Sequence, residues 1–206
     1  MDLANFIVVG GPISVGKSTL VSSLPFVQVP ELDNDDEILM LLLENTYSKE
    51  RVSAEVIETY FLELRKKKYS DFSNSLTTHV FDRSIFESLW FAKGNMSKKS
   101  FKHFEVLWEK EILDLIKTHG KPKMYILLTM NWETFKKRLF ERGREVEVKN
   151  FQANEEFFKQ HIKEYEQHMI EVFKKFDINY SNIETDNKNA SSVLESTMKA
   201  LEVFNV

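Results

Sequence analysis

The chain has 206 residues, a formal net charge of −4, 42% hydrophobic residues and 29% charged residues. That balance is ordinary for a globular protein with a sizeable core, and it lacks the strongly basic footprint of a nucleic-acid binder. With no cysteine, the chain excludes a disulfide framework, a thiolate zinc site and a thiol nucleophile.

The 17 phenylalanines predict an aromatic core or cleft. The opening residues, Met1 to Asn5, carry no basic n-region. No apolar run is long enough to span a bilayer. These features predict a cytoplasmic protein with neither a membrane nor a nucleic acid as partner.

In chain order, Phe6-Ile7-Val8-Val9 is a continuous apolar run ending at Gly10-Gly11, the pattern of a buried parallel strand. A helix is expected over 17–24, a weaker strand over 26–29 and a helix over 35–46. A second amphipathic helix is expected over 53–68, with Val56, Ile57, Tyr60, Phe61 and Leu64 at helical spacing. The run Arg65 to Lys68 reads as its solvated, cation-rich end. Residues 78–81 predict a strand ending at Asp82-Arg83-Ser84, followed by a helix and then another over 97–118. The remaining expectations are a strand over 124–130, helices over 132–142 and 154–176, a strand over 178–183 and a helix over 190–203. Strands alternating with helices predict an α/β fold with a five-stranded parallel sheet flanked by helices. No linker interrupts the chain, so 1–206 is expected to form a single domain.

Gly11-Pro12-Ile13-Ser14-Val15-Gly16-Lys17-Ser18 matches G-x-x-x-x-G-K-[ST] in full, between a predicted strand and a predicted helix. In such a P-loop the glycines let backbone N–H groups turn inward around phosphate oxygens. The helix N-terminus, here reaching Thr19, adds the positive end of a dipole. Lys17 is placed to reach the β- and γ-phosphates and Ser18 to ligate Mg²⁺. The motif identifies a triphosphate, with ATP as the expected donor, and says nothing of the acceptor.

Two further clusters bear on the acceptor. Asp82-Arg83-Ser84 falls at the predicted C-terminal end of a strand, the edge where open α/β sheets bind ligands. Asp82 can help hold Mg²⁺, and Arg83 can bind a phosphate or a hydroxyl. Arg138, Arg142 and Arg144 form the other cluster. Arg138 and Arg142 lie four apart on one helix face, and Gly143 breaks the helix behind them. Arginines on such a segment suit a lid, over about 138–152, that closes on the transferring phosphates.

These three motifs in this order resemble the deoxynucleoside kinase family, and Asp82 to Glu87 is especially similar to its bacterial-type members. Arg138, Arg142, Arg144 and Glu147 fill that family's lid pattern. The resemblance implies a P-loop kinase fold and transfer of a phosphoryl group from ATP to the 5′-hydroxyl of a deoxyribonucleoside. It implies Glu31 as general base, although the family has Glu-Pro where this chain has Pro30-Glu31, and Asp33, Asp35 and Asp36 lie close by. It further implies Arg83 on the 5′-hydroxyl or the base, Tyr47 and Glu147 on the sugar 3′-hydroxyl, and Asp186 in the segment that clasps the donor adenine. A homodimer is implied as well. Glu58 stands where the family has a base-reading glutamine. An ionised glutamate only accepts hydrogen bonds, which points to guanine, or to adenine if the carboxyl is protonated.

Two other readings of the same motifs stay open. A nucleoside monophosphate kinase of thymidylate-kinase type shares the fold and the lid. It needs extra positive charge in the acceptor site, where residues 31–58 offer only Lys49 and Arg51. A P-loop nucleotide-binding protein without kinase chemistry needs neither Glu31 nor a complete lid. The five histidines are scattered without ligand spacing.

Overall fold

The computed structural model describes residues 3–31, 53–143, 148 and 151–204. The helix expected over 35–46 lies outside them. So do Tyr47, Lys49 and Arg51, the aspartates at 33, 35 and 36, and Arg144 and Glu147 of the lid.

Five strands form one parallel sheet in the order β2-β3-β1-β4-β5. They are β1 (Leu3–Gly10), β2 (Val27–Val29), β3 (His79–Asp82), β4 (Lys121–Thr129) and β5 (Tyr180–Glu184). In β1, Phe6 and Val8 face one core, with Phe81, Tyr125 and Leu127. Ile7 and Val9 face the other, with Val80, Ile126 and Leu128. Both faces are therefore covered, which is why these strands read as continuous apolar runs and not as alternating ones.

Helices α1 (Lys17–Ser23), α5 (Trp132–Arg142) and α7 (Ala190–Val203) pack on one side. Helices α2 (Ala54–Phe72), α3 (Ser88–Asn95), α4 (Lys98–His119) and α6 (Glu155–Phe176) pack on the other. Phenylalanine fills both layers: Phe6 stacks on Phe81 at 4.4 Å, and Phe135 packs against Phe158 at 5.4 Å.

The boundaries differ from expectation where local chemistry intervenes. β4 begins at Lys121, before the expected Met124, and includes Pro122. Proline has no N–H for a ladder, and it is accommodated where the β1–β4 register slips between Ala4 and Ile7. β5 begins two residues late because Ile178 still serves the preceding helix: its N–H donates to the Phe173 carbonyl, past Asp177 at φ +53°. α2 runs four residues beyond expectation, to Phe72, so the basic run is not a helix end.

Candidate active site

The P-loop leaves β1 and enters α1 through three left-handed backbone positions, Gly11 (φ +155°), Ser14 (φ +63°) and Gly16 (φ +103°). At Gly11 a Cβ would also come within 2.7 Å of the Leu128 carbonyl and 2.8 Å of Val15, so both space and backbone demand glycine. Lys17 is buried. Its ammonium donates to the Gly11 carbonyl at 3.0 Å and the Pro12 carbonyl at 2.8 Å. Burial, followed by repulsion from the Arg83 guanidinium, pushes Lys17 down to about 7.

A cavity of about 490 Å³ opens beside this loop. Residues Ser14 to Leu20, Arg138, Arg142, Thr185, Lys188 and Asn189 all contribute to its wall. Arg138 spans it from α5. One guanidinium nitrogen donates to the Val15 carbonyl at 3.1 Å and the Thr185 hydroxyl at 2.8 Å, the other to the Thr185 carbonyl at 2.7 Å. Asp186 sits behind this wall. Both its carboxylate oxygens accept from the Asn131 N–H, at 3.1 and 3.0 Å, so it ties the loop after β5 to the start of α5.

At the foot of the loop the Ser18 hydroxyl donates to Asp82 Oδ2 at 2.6 Å. Asp82 Oδ1 is buried with no hydrogen-bond partner, and burial raises the Asp82 pKa above its usual range. An orphaned carboxylate oxygen beside a hydroxyl fits a small, hard divalent cation that takes its other ligands from phosphates and water. No group of three or more His, Cys, Asp and Glu suited to a metal occurs among the described residues.

Across the loop from this cavity lies a set of long-range charge pairs. Glu31 Oε1 accepts from Arg65 at 2.7 Å, and Glu31 Oε2 accepts from Arg83 Nε at 3.0 Å. Burial alone would raise the Glu31 pKa, but the two guanidiniums outweigh it and hold the carboxyl below its usual value. Arg83 itself is buried and has a left-handed φ of +69°, costly for a long side chain. Its guanidinium lies 4.8 Å above the Phe91 ring, and Glu87 and Glu31 keep it charged despite burial. Through Nη1 it also donates to the Gly11 carbonyl at 3.0 Å, so acceptor-side arginine and donor loop touch directly.

Arg65 corrects the reading of the basic run as a solvated helix end. Glu58, Leu62, Arg65 and Tyr69 form the buried face of α2. Arg65 bonds Glu31 and the Ser88 hydroxyl (3.0 Å) and packs between Phe61 and Phe91. Lys66 pairs with Glu111 at 2.7 Å, and Lys68 caps the Pro30 and Glu31 carbonyls. Only Lys67 keeps the solvated character expected of all four. The missed signal was the 58-62-65-69 spacing, which continues one helix face through the basic run.

Glu58 is also buried, and its carboxylate accepts from Asn95 at 2.6 Å. Burial raises its pKa. Glu87, which the sequence offered only as part of the Asp82–Glu87 stretch, is wholly buried beneath Arg83.

A phosphate loop at the end of the central β1, a carboxylate-arginine turn at the end of β3 and arginines reaching in from α5 define a P-loop kinase fold. The family profile for deoxynucleoside kinases matches residues 7–204, and the chain belongs to that family. It is 35% identical over 212 residues to a Mycoplasma pneumoniae protein described as an uncharacterized MG268 homolog, covering 99% of this chain and 92% of the relative. It is 30% identical over 155 residues to the deoxyadenosine/deoxycytidine kinase of Bacillus subtilis, covering 70% of this chain and 68% of that one. A deoxyadenosine kinase from M. mycoides, solved with bound dATP, superposes with a TM-score of 0.68 at 19% identity, covering 96% of this chain and 98% of that one. The chain is a kinase that phosphorylates nucleosides. No helix among the described residues is long and apolar enough to cross a membrane.

Proposed function

We propose that the enzyme transfers the γ-phosphoryl group of ATP to the 5′-hydroxyl of a deoxyribonucleoside, preferring a purine, and releases the 5′-monophosphate. The observation that carries this is Glu31, held between Arg65 and Arg83 beside the donor loop. A carboxylate so fixed can receive the 5′-hydroxyl and orient it for in-line attack. Its lowered pKa makes it a weak base, which suits a loose transition state where the hydroxyl proton leaves late.

On the donor side, the loop N–H groups from Gly11 to Thr19 and Lys17 receive the β- and γ-phosphates. Arg138 and Arg142, which line the same cavity, stabilise the charge that develops on transfer. Ser18 and Asp82 would hold Mg²⁺, which would supply neutralisation of the phosphate charge. The phosphate contacts would also favour the charged form of Lys17, whose pKa is lowered by burial first and then by Arg83.

Two features support the finer assignment. Glu58 is buried beside Asn95 and its pKa is raised, so it can carry a proton and present one donor and one acceptor to adenine. Guanine is the alternative when Glu58 is ionised. Val106 and Leu113, exposed seven residues apart on α4, supply an apolar stripe for a homodimer. Arg144, Tyr47 and Glu147 complete the proposal as further phosphate and sugar contacts.

The test is phosphate transfer to a panel of nucleosides and nucleoside monophosphates. We expect turnover on purine deoxyribonucleosides and little on any monophosphate. Glu31→Ala should lower kcat on the order of 10²- to 10⁴-fold while triphosphate binding persists. Near-normal turnover in that variant removes Glu31 as the base, and preferred turnover of a monophosphate removes the whole acceptor assignment.

A further inference from the structure

The buried carboxylate of Glu87 lies where the phosphate loop, the turn after β3 and helix α6 meet. The Gly11 N–H donates to Glu87 Oε1 at 3.2 Å, and Arg83 Nη1 donates to the same oxygen at 3.0 Å. Arg83 Nη1 also donates to the Gly11 carbonyl at 3.0 Å. These bonds close a ring of Gly11, Glu87 and Arg83. The Tyr165 hydroxyl, from the helix that follows the lid, donates to that Oε1 as well. Glu87 Oε2 accepts from the Ser84 N–H at 3.4 Å, which fixes the carboxylate at the turn after β3.

The residue is 0% exposed. A buried carboxylate is costly to keep unless it is paired and fully hydrogen-bonded, and here it is both. Removing it would leave Arg83 paired with Glu31 alone among the carboxylates of the described residues and would strip the Gly11 N–H of its acceptor.

The geometry points to Glu87 as a positioning residue that couples the donor loop to the acceptor arginine. It touches neither substrate in the proposed scheme. Its effect runs through Arg83, whose guanidinium it holds at one end while Glu31 holds the other. The Gly11 carbonyl carries two donors, Lys17 Nζ and Arg83 Nη1. When Lys17 turns to a phosphate, Gly11 is left on the Arg83–Glu87 ring alone. Triphosphate binding is thereby transmitted to the arginine that must meet the 5′-hydroxyl. The use made of this coupling in phosphorylation rests on the function proposed above; the coupling itself needs only the triphosphate.

Labelling the arginine side chains with ¹⁵N gives a direct readout. A non-hydrolysable ATP analogue titrated into the wild-type protein should shift the Arg83 Nε–H resonance. Glu87→Gln keeps the shape and one acceptor oxygen but removes the charge. In that variant we expect binding of the analogue within about threefold and loss of the Arg83 shift. An Arg83 resonance that shifts equally in both proteins overturns the proposal. In turnover, Glu87→Gln should lower kcat by about 10- to 100-fold with KM for the triphosphate little changed; an unchanged kcat also overturns it.

Should Glu87→Gln lack a cooperative melt, Tyr165→Phe decides the matter. It removes one donor from Oε1 without stranding a charge, and it should diminish the Arg83 shift; an undiminished shift again overturns the proposal. Failure of the wild-type enzyme to phosphorylate any nucleoside would remove the functional reading and leave the Arg83 measurement standing.

Discussion

The proposed donor and acceptor halves of the site are built in opposite ways. The donor cradle is mostly backbone, and its residues lie within eight positions of one another, from Gly11 to Ser18. The acceptor side is mostly side chain, assembled from bonds that join residue 31 to 65 and 83, 65 to 88, and 11 to 87. A cradle of amides tolerates change in its side chains as long as the turn persists. An array of buried charges does not, because each member neutralises another. The first half is thus robust and generic, and the second is fragile and specific.

Substitutions on the two sides should therefore fail differently. The largest effect is expected from Lys17→Ala, which removes the buried lysine of the phosphate loop. Turnover should fall on the order of 10³-fold or more, while the melting temperature stays the same or rises, since a buried ammonium is no longer confined. A clear drop in melting temperature would show that the donor side also depends on charge for its fold.

Next comes Arg65→Ala on the acceptor side. It strips Glu31 and Ser88 of a buried partner, which should cost roughly 1–3 kcal/mol of stability and about 100-fold in kcat/KM. Both losses are expected together, measured by denaturant unfolding and steady-state kinetics. Lost activity at full stability would make Arg65 a ligand contact only.

A smaller change is expected from Glu58→Gln, which fixes one donor and one acceptor whatever the pH. The ratio of turnover on deoxyadenosine to deoxyguanosine should rise by about tenfold, equivalent to roughly 1.4 kcal/mol of discrimination. An unchanged ratio removes Glu58 from base reading.

The effect that is smallest at neutral pH, and grows only on acidification, belongs to the layer behind Arg83. Trp90 donates its indole N–H to His161 Nδ1 at 2.6 Å, and burial, then repulsion from Arg83 and Lys17, lowers the His161 pKa to about 3. The unfolded chain binds this proton near pH 6.5, the folded chain near 3, so stability is lost as pH falls through that window. The decline should approach on the order of 1 kcal/mol per pH unit at the acid end. His161→Phe, by urea unfolding at several pH values, should flatten that slope.

The same contrast explains what could be read in the sequence. The five strands, the helices at 132–142 and 190–203 and the phosphate loop were legible because each is set by short-range pattern: apolar runs, caps and glycine spacing. Asp82 and Arg83 were singled out by their place at the end of a predicted strand, and Glu31 because a resemblance supplied its place. Arg65 and Glu87 were not: the local sign for Arg65, the 58-62-65-69 helix face, tells which way the side chain points and not what it meets, and Glu87 has no such sign. Their character is conferred by Glu31, Phe91, Gly11 and Tyr165, all distant in the chain. The earlier start of β4, at Lys121, was not expected, because the register slip beside Pro122 cannot be seen locally.

The strand order carries a consequence for how the protein is made. β1, made before the other four strands of the sheet, ends up in its centre, between β3 and β4. It cannot pair on one edge until residue 79 has emerged, or on the other until residue 121 has. For much of synthesis the nascent chain therefore carries an apolar, unpaired strand, a state prone to sticking to other chains. Parallel pairing across such separations is also slow. The strand that leads into the phosphate loop is thus exposed longest to misassembly, and dependence on a chaperone should be greatest for nascent chains that end before β4.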